Sequence, residues 1–309
     1  MPELPEVEGF ARYLAPRVTG LQIRAVEIHC LRTIRPLPPE PFRNSLRGAV
    51  IAGVRRRAKF LRLDLAPGSR GSAACLLAHL GMTGRLFVQS ANLPLPRHTV
   101  ADLDLGTERL VFEDARRFGR LHTDLSVLDP LGPEPLSDAF PAGALSTALR
   151  GSRRAVKVCL MDPGVVAGIG NIYASEALFR ARIAPERSAG SLTPDECHRL
   201  RTAIRKVLME AIRRTEPHAL ETVPGRESLF YHGNAPSHVE APPFQVYDRA
   251  GKPCTACGTP IRRIVQASRS TFFCPRCQAW TEPLHAPIDL GSPPPAGSSH
   301  GHAHPHPRH

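Results

Sequence analysis

A chain of 309 residues with 42% hydrophobic content can bury a substantial core, and that length suits more than one domain. Forty Lys and Arg stand against 28 Asp and Glu, a formal +12 that suits a polyanionic partner, although high charge by itself only keeps a protein soluble. No apolar run reaches the roughly 18 residues of a membrane span, and the opening Met1-Pro2-Glu3 is not a basic-then-apolar leader. We therefore expect no membrane partner and a cytoplasmic protein.

In chain order, Leu4, Val7, Phe10, Ala11 and Leu14 recur at spacings of three and four, which predicts an amphipathic helix starting almost at the terminus. Short apolar runs follow over 48–54, 60–65, 74–80, 100–105 and 109–112, separated by Gly, Pro and charge, the pattern of a β-sandwich or barrel. Residues 131–136, Leu-Gly-Pro-Glu-Pro-Leu, form a turn-rich break, after which the period becomes helical, notably over 170–180 and 194–214. Thr193 is placed to cap the latter helix, with Pro194 at its first position and Asp195 and Glu196 where the helix dipole favours carboxylates. Residues 216–244 lack periodicity and read as a long loop. The tail over 287–309, with its Pro run and spaced His, reads as a disordered, solvated extension rather than a metal site. The expected fold is α+β and multidomain. An N-terminal helix and β-sandwich occupy 2–130, a helical domain 131–243, and, around the paired cysteines Cys254, Cys257, Cys274 and Cys277, a C-terminal β-hairpin zinc finger 244–282.

Cys254-Thr-Ala-Cys257, sixteen residues, then Cys274-Pro-Arg-Cys277 has the spacing of a four-thiolate zinc site on two knuckles. Four thiolates fill a tetrahedral shell and leave no position for water, so one structural Zn2+ is expected, not a catalytic one. Cys30, Cys75, Cys159 and Cys197 are scattered singly. Between the knuckles lie Arg262, Arg263 and Arg269 with Phe272 and Phe273, suited to phosphates or a groove, and equally the composition of a solvated basic surface.

Met1 before the small Pro2 is normally removed, which would leave a secondary amine at the terminus. An α-amine titrates near ~8, well below lysine, so part of it is free to attack an electrophilic carbon at neutral pH. Glu3 and Glu6 follow where carboxylates could relay protons, yet Pro-Glu is also an ordinary way to start a helix.

Residues 2–8, Pro-Glu-Leu-Pro-Glu-Val-Glu, resemble the N-terminal signature of the formamidopyrimidine-DNA glycosylase and endonuclease VIII family. Further resemblances run in order along residues 2 to 280. Arg56-Arg-Ala-Lys59-Phe is similar to the family's lysine-bearing hairpin, His79-Leu-Gly-Met82-Thr-Gly84 to its void-filling loop, and Asp114-Ala-Arg116-Arg-Phe118-Gly to its intercalating loop. Residues 160–176, ending Gly-Ile-Gly-Asn171-Ile-Tyr-Ala-Ser-Glu176, resemble its helix–two-turn–helix element.

The resemblance implies an enzyme of base-excision repair that removes oxidised purines from duplex DNA and nicks the abasic site by β,δ-elimination. Pro2 would be the nucleophile and Schiff-base residue, Glu3 the acid/base and Lys59 a phosphate or proton-transfer group. His79, His98, Lys157, Asn171 and Arg269 would contact DNA. Met82, Arg116 and Phe118 would fill the space left by the extruded base, with Arg able to bond the orphaned base and Phe able to wedge the stack. Without the resemblance, core is the favoured reading of both Met82 and Phe118. The implied partner is duplex DNA with damaged bases or abasic sites, met by a monomer on bacterial nucleoid DNA. Two other readings stay open: a relative preferring oxidised pyrimidines, and a non-catalytic lesion-binding zinc protein. Residues 269–274 and the Met82, Arg116 and Phe118 set lean toward purines. Residues 216–244 do not match that branch, and Asp248 stands where it would have Gly.

Overall fold

The computed structural model describes residues 2–66, 73–138, 140–215 and 244–279. The loop expected over 216–244 lies outside it except for Phe244, and the tail expected to be disordered lies outside it entirely.

Helix α1 (Leu4–Val18) buries the apolar stripe that its spacing predicts. The stripe serves two cores. Val7, Phe10, Leu14 and Val18 pack into the first cluster, whereas Leu4 belongs to the second, so one short helix joins both domains. Eight strands follow: β1 (Ala25–Ile28), β2 (Val50–Arg57), β3 (Phe60–Ala66), β4 (Cys75–His79), β5 (Arg85–Ser90), β6 (Thr99–Asp104), β7 (Glu108–Glu113) and β8 (Arg120–His122), with helix α2 (Pro39–Leu46) after β1. They form two antiparallel four-stranded sheets, ordered β1-β6-β7-β5 and β2-β3-β4-β8. Ile51, Leu61, Leu63 and Leu76 of one sheet and Val26, Leu103, Leu110 and Phe112 of the other share a single buried cluster, which makes the pair a sandwich. Strand β2 outlasts its apolar run because Arg55, Arg56 and Arg57 continue it with side chains that meet carboxylates.

The second core belongs to α3 (Ala142–Leu149), α4 (Val156–Leu160), α5 (Asn171–Ala181) and α6 (Pro194–Thr215). α6 starts in a reciprocal capping box: Thr193 Oγ1 accepts the Glu196 N–H at 3.2 Å, and Glu196 Oε2 accepts the Thr193 N–H at 2.9 Å. The C-terminal unit is a hairpin of β9 (Arg262–Gln266) and β10 (Arg269–Phe273), turned at Ala267 and Ser268 with φ of 45° and 60°. It is fastened to the helical domain by Glu176, whose buried carboxylate accepts the N–H groups of Gln245, Val246 and Tyr247 at 2.9–3.0 Å. The Gln278 amide adds a 2.8 Å bond to the carbonyl of Ile183.

Candidate active site

The N-terminus of α1 meets the N-terminus of α5. Both Pro2 and Glu3 are buried there, and the Glu3 carboxylate accepts N–H groups from Gly170 (2.7 Å), Ile172 (3.0 Å) and Tyr173 (3.3 Å). The free N–H groups of a helix start are the natural seat for an anion. Gly170 is required by proximity: a Cβ there would stand 2.4 Å from the Glu3 carboxyl carbon. The seat is further fixed because Leu4 N–H donates to Gly168 O at 3.0 Å. Glu6 closes the ring, accepting Glu3 N–H at 2.8 Å and Tyr173 Oη–H at 2.6 Å. Burial raises the pKa of Glu3 above the usual carboxylate range; the Lys59 charge opposes this and the Glu6 charge adds to it. A carboxyl so tuned can hold a proton nearer neutrality than a surface glutamate.

Lys59 lies in the two-residue turn between β2 and β3. Burial depresses its pKa, with the charge of Glu3 opposing and that of Arg269 reinforcing the shift. Ala58 takes a positive φ of 52° in this turn, and Glu134 clamps it. The Glu134 Oε1 accepts Ala58 N–H at 2.5 Å and Arg57 Nη1–H at 3.0 Å, while Oε2 lies 2.7 Å from Arg56 Nη1 as an ion pair without hydrogen-bond alignment. Arg57 also donates to the carbonyls of Leu131 and Gly132, and Arg56 reaches Glu8 of α1 at 3.0 Å. The turn-rich break is therefore the strut that sets the lysine turn against the helix bearing Glu3.

Lys157 on α4 is fully buried, and all three of its donors are used: Asn171 Oδ1 (2.5 Å), Thr271 Oγ1 (2.7 Å) and Ser270 O (3.1 Å). Burial brings its pKa down to about 8, with Glu3 opposing. It ties the start of α5 to the strand that begins at Arg269, whose side chain is exposed.

The remaining expected residues lie on one loop edge of the sandwich. Asp114 organises it by accepting from Thr83 Oγ1 (2.5 Å), Arg116 N–H (3.2 Å) and Gly119 N–H (2.6 Å), while its own N–H donates to His98 O at 2.9 Å. Gly81, at φ +63°, lets the 80–84 loop touch the 114–119 loop, where a Cβ would meet Gly119 N at 2.7 Å. Presented outward are Met82 (37% exposed), Phe118 (39%), Arg116 and His98. The Arg116 guanidinium lies 4.8 Å from the Phe118 ring centroid. His79, at the end of β4, is half-buried beside Phe60, and burial lowers its pKa to about 4, with Lys59 and His122 adding to the shift. Its Nδ1 accepts Gly81 N–H at 3.3 Å, which leaves the proton on Nε2.

The four expected metal ligands come together with their sulfurs within 4.8 Å of one another, Cys257 to Cys274 at 3.5 Å and Cys254 to Cys277 at 3.9 Å. Tetrahedral Zn–S bonds of about 2.3 Å require S···S separations of about 3.8 Å. Ala256 N–H and Cys277 N–H donate to Cys254 Sγ and Cys274 Sγ at 3.4 Å each, bonds that support thiolates. The donor set fits one structural zinc ion.

Thus Pro2, Glu3 and Lys59 share the junction, Lys157 and Asn171 adjoin it, and Met82, His98, Arg116 and Phe118 share the outer edge. Sequence reasoning missed Glu134 and Tyr173. The first sits inside a turn motif with nothing to mark its distant arginines, whereas Tyr173 lies two residues beyond Asn171 in a motif already noticed. Asp248 is explained: its φ is +56°, a left-handed conformation suited to glycine that Asp tolerates better than most residues.

Family models match nearly the whole described chain. They are the formamidopyrimidine-DNA glycosylase N-terminal domain over residues 1–121, the H2TH domain of that enzyme over 131–220, and the zinc finger found in FPG and IleRS over 251–279. The formamidopyrimidine-DNA glycosylase of Symbiobacterium thermophilum is 44% identical over 291 residues, spanning 90% of this chain and 89% of the relative. Lactococcus lactis Fpg bound non-covalently to DNA containing an abasic site superposes with a TM-score of 0.76 at 30% identity, over 90% of this chain and all of that one. The same enzyme with DNA containing N7-benzyl-Fapy-dG gives 0.77 at 31% identity over the same shares.

Proposed function

Since the chain belongs to the formamidopyrimidine-DNA glycosylase family, we propose that it excises oxidised purines, formamidopyrimidines and 8-oxoguanine, from duplex DNA and nicks the resulting abasic site by β,δ-elimination. The observation that carries the chemistry is the buried Pro2-Glu3 pair at the start of α5. With Met1 removed, the Pro2 nitrogen attacks C1′, the C1′–base bond breaks, and the base leaves with the proton lost from that nitrogen, so that an N–C1′ single bond joins Pro2 to the closed sugar. Glu3 in its protonated form gives its proton to the ring oxygen, the C1′–O4′ bond breaks, and the Pro2 N–C1′ bond becomes an iminium. As the carboxylate it then takes a C2′ proton, which expels the 3′-phosphate, and a second elimination expels the 5′-phosphate. Water adds to C1′ of the remaining iminium, the N–C1′ bond breaks, and Pro2 is freed.

Lys59 stands near Glu3 to hold a phosphate or pass a proton, and Asn171 and Arg269 grip phosphates flanking the extruded nucleotide. Lys157 supports both by donating to the Asn171 side chain and to Ser270 O and Thr271 Oγ1, the residues that follow Arg269. Met82, Arg116 and Phe118 fill the emptied stack. Zinc, held by Cys254, Cys257, Cys274 and Cys277, keeps the β9–β10 hairpin folded. Among the described residues no helix is long and apolar enough to cross a membrane. We take the protein to act as a monomer on nucleoid DNA in the cytoplasm, with functional units at 2–130, 131–243 and 244–282.

The test is borohydride trapping with duplexes carrying 8-oxoguanine opposite C, dihydrouracil opposite G, or an abasic site, using protein whose terminus is verified by mass spectrometry. A covalent adduct with 8-oxoguanine and δ-elimination ends is expected. Trapping with dihydrouracil alone would move the preference to pyrimidines, and no adduct with any substrate would leave a non-catalytic binder.

A further inference from the structure

The segment after β1 is held as a rigid ledge beside Phe118. His29 N–H and Cys30 N–H both donate to Val100 O at 3.0 Å, and Thr33 and Ile34 are each 1% exposed, anchoring the 3-10 turn Leu31–Ile34. This turn packs on β8, the strand that leaves the Phe118 loop. With its base buried, the turn sends Leu31 (58% exposed) and Arg32 into solvent, and the Arg32 guanidinium lies 5.7 Å from the Phe118 ring centroid.

Five exposed arginines near this ledge lack ionic partners among the described residues, unlike several others of the sandwich. Arg43, Arg55, Arg62, Arg85 and Arg109 each lie within ion-pair distance of a carboxylate. Arg32, Arg35, Arg97, Arg116 and Arg117 are all exposed, and none has a carboxylate partner among the described residues. Arg97 adjoins His98, whose carbonyl is bonded to Asp114, so Arg32, Arg97, Arg116 and Arg117 share the edge that carries Phe118. Unneutralised guanidinium groups clustered on one rim attract a polyanion, and a planar donor fork matches a phosphate.

We propose that the Leu31–Ile34 turn is a further DNA-contacting element, in which Arg32 binds a backbone phosphate at the step entered by Phe118. In the free protein the same guanidinium stacks near the Phe118 ring and holds it outward. On DNA the ring enters the base stack and Arg32 moves to the phosphate beside it. The proposal rests on the reading of Phe118 as the wedge.

The test is equilibrium binding of the full chain and its Arg32→Ala and Arg32→Lys variants to a duplex with a tetrahydrofuran abasic analogue opposite C, from about 50 to about 200 mM salt. Arg32→Ala should weaken binding about 5–20-fold and flatten the salt slope by about one phosphate, while Arg32→Lys restores the slope. The rate of borohydride trapping at saturating abasic DNA should stay unchanged, because Arg32 lies outside the junction. An unchanged affinity and slope for Arg32→Ala would overturn the proposal while leaving the enzyme reading intact. If the wild-type chain neither prefers the analogue duplex nor is trapped, the enzyme reading fails and the proposal fails with it.

Discussion

The junction around Glu3 and the rim around Phe118 are built on opposite principles. At the junction the buried carboxylates and Lys157 are held by fixed partners: Glu3 by three backbone donors, Glu6 by Tyr173 and the Glu3 N–H, and Lys157 by three acceptors. At the rim the loops are fixed by Asp114 while the outward side chains are left without ionic partners. Chemistry needs groups whose positions and proton affinities are set before substrate arrives, and burial provides both. Wedging into DNA needs side chains that can exchange water for bases and phosphates at low cost, which a neutralised, buried residue cannot do. Damage to the junction should therefore reach both folding and chemistry, whereas damage to the rim should reach only engagement of DNA.

The largest effect is expected for Glu3→Gln. Single-turnover excision of 8-oxoguanine should fall by about 10²–10⁴-fold, the usual contribution of a positioned acid/base. Gly170→Ala should mimic it with Glu3 intact, because the added methyl meets the carboxylate; full activity there would show that the seat is not rigid. Glu134→Ala comes next. It removes one of the two carboxylates that meet Arg56, leaving Glu8, and strips the acceptor from the Ala58 N–H in the Lys59 turn, so chemical denaturation should report a loss of about 1–3 kcal/mol. Its chemical step should slow as well, and a stability loss without slowing would separate Glu134 from Lys59.

Phe118→Ala should leave the melting curve within about 0.5 kcal/mol of wild type, as an exposed position, yet slow excision of a stacked lesion about tenfold while sparing trapping on an abasic site that has no base to displace. A matching loss on both substrates would place Phe118 in the fold, not at the rim. A smaller effect concerns His79. Its pKa falls from 6.5 to about 4, so the native state takes up a proton less readily than the unfolded chain. Its contribution to stability is complete above pH 6.5 and is lost as pH falls through 4; His79→Gln should flatten that part of the pH–stability curve relative to wild type. Smallest of all, Asp248→Gly should raise stability by no more than about 1 kcal/mol, relief of left-handed strain being offset by the freer unfolded chain. Asp248→Val should lower it, and a neutral Val variant would remove the strain argument.

Local pattern made much of this legible. The spacing in 4–14 yielded α1, the capping residues at 193–196 marked the start of α6, and the cysteine spacing pointed to the zinc ligands, because each depends on residues close in sequence. Harder to read were elements whose residues are not apolar, such as the end of β2 at Arg55, Arg56 and Arg57, which is strand because its arginines find Asp64, Glu8 and Glu134.

By itself the sequence determined the kinds of chemistry available: a terminal imino acid followed by a carboxylate, a lysine that the family resemblance puts in a hairpin, four paired thiolates, and a strong excess of positive charge. Only the tertiary structure decided that Glu3 is seated on the first turn of a helix that begins at Asn171, that Glu134 braces the turn bearing Lys59, and that some arginines are neutralised while those near Phe118 are not. The reason is physical. Proton affinity and net local charge depend on burial and on partners tens to hundreds of residues away, and neither is present in the spacing of neighbours.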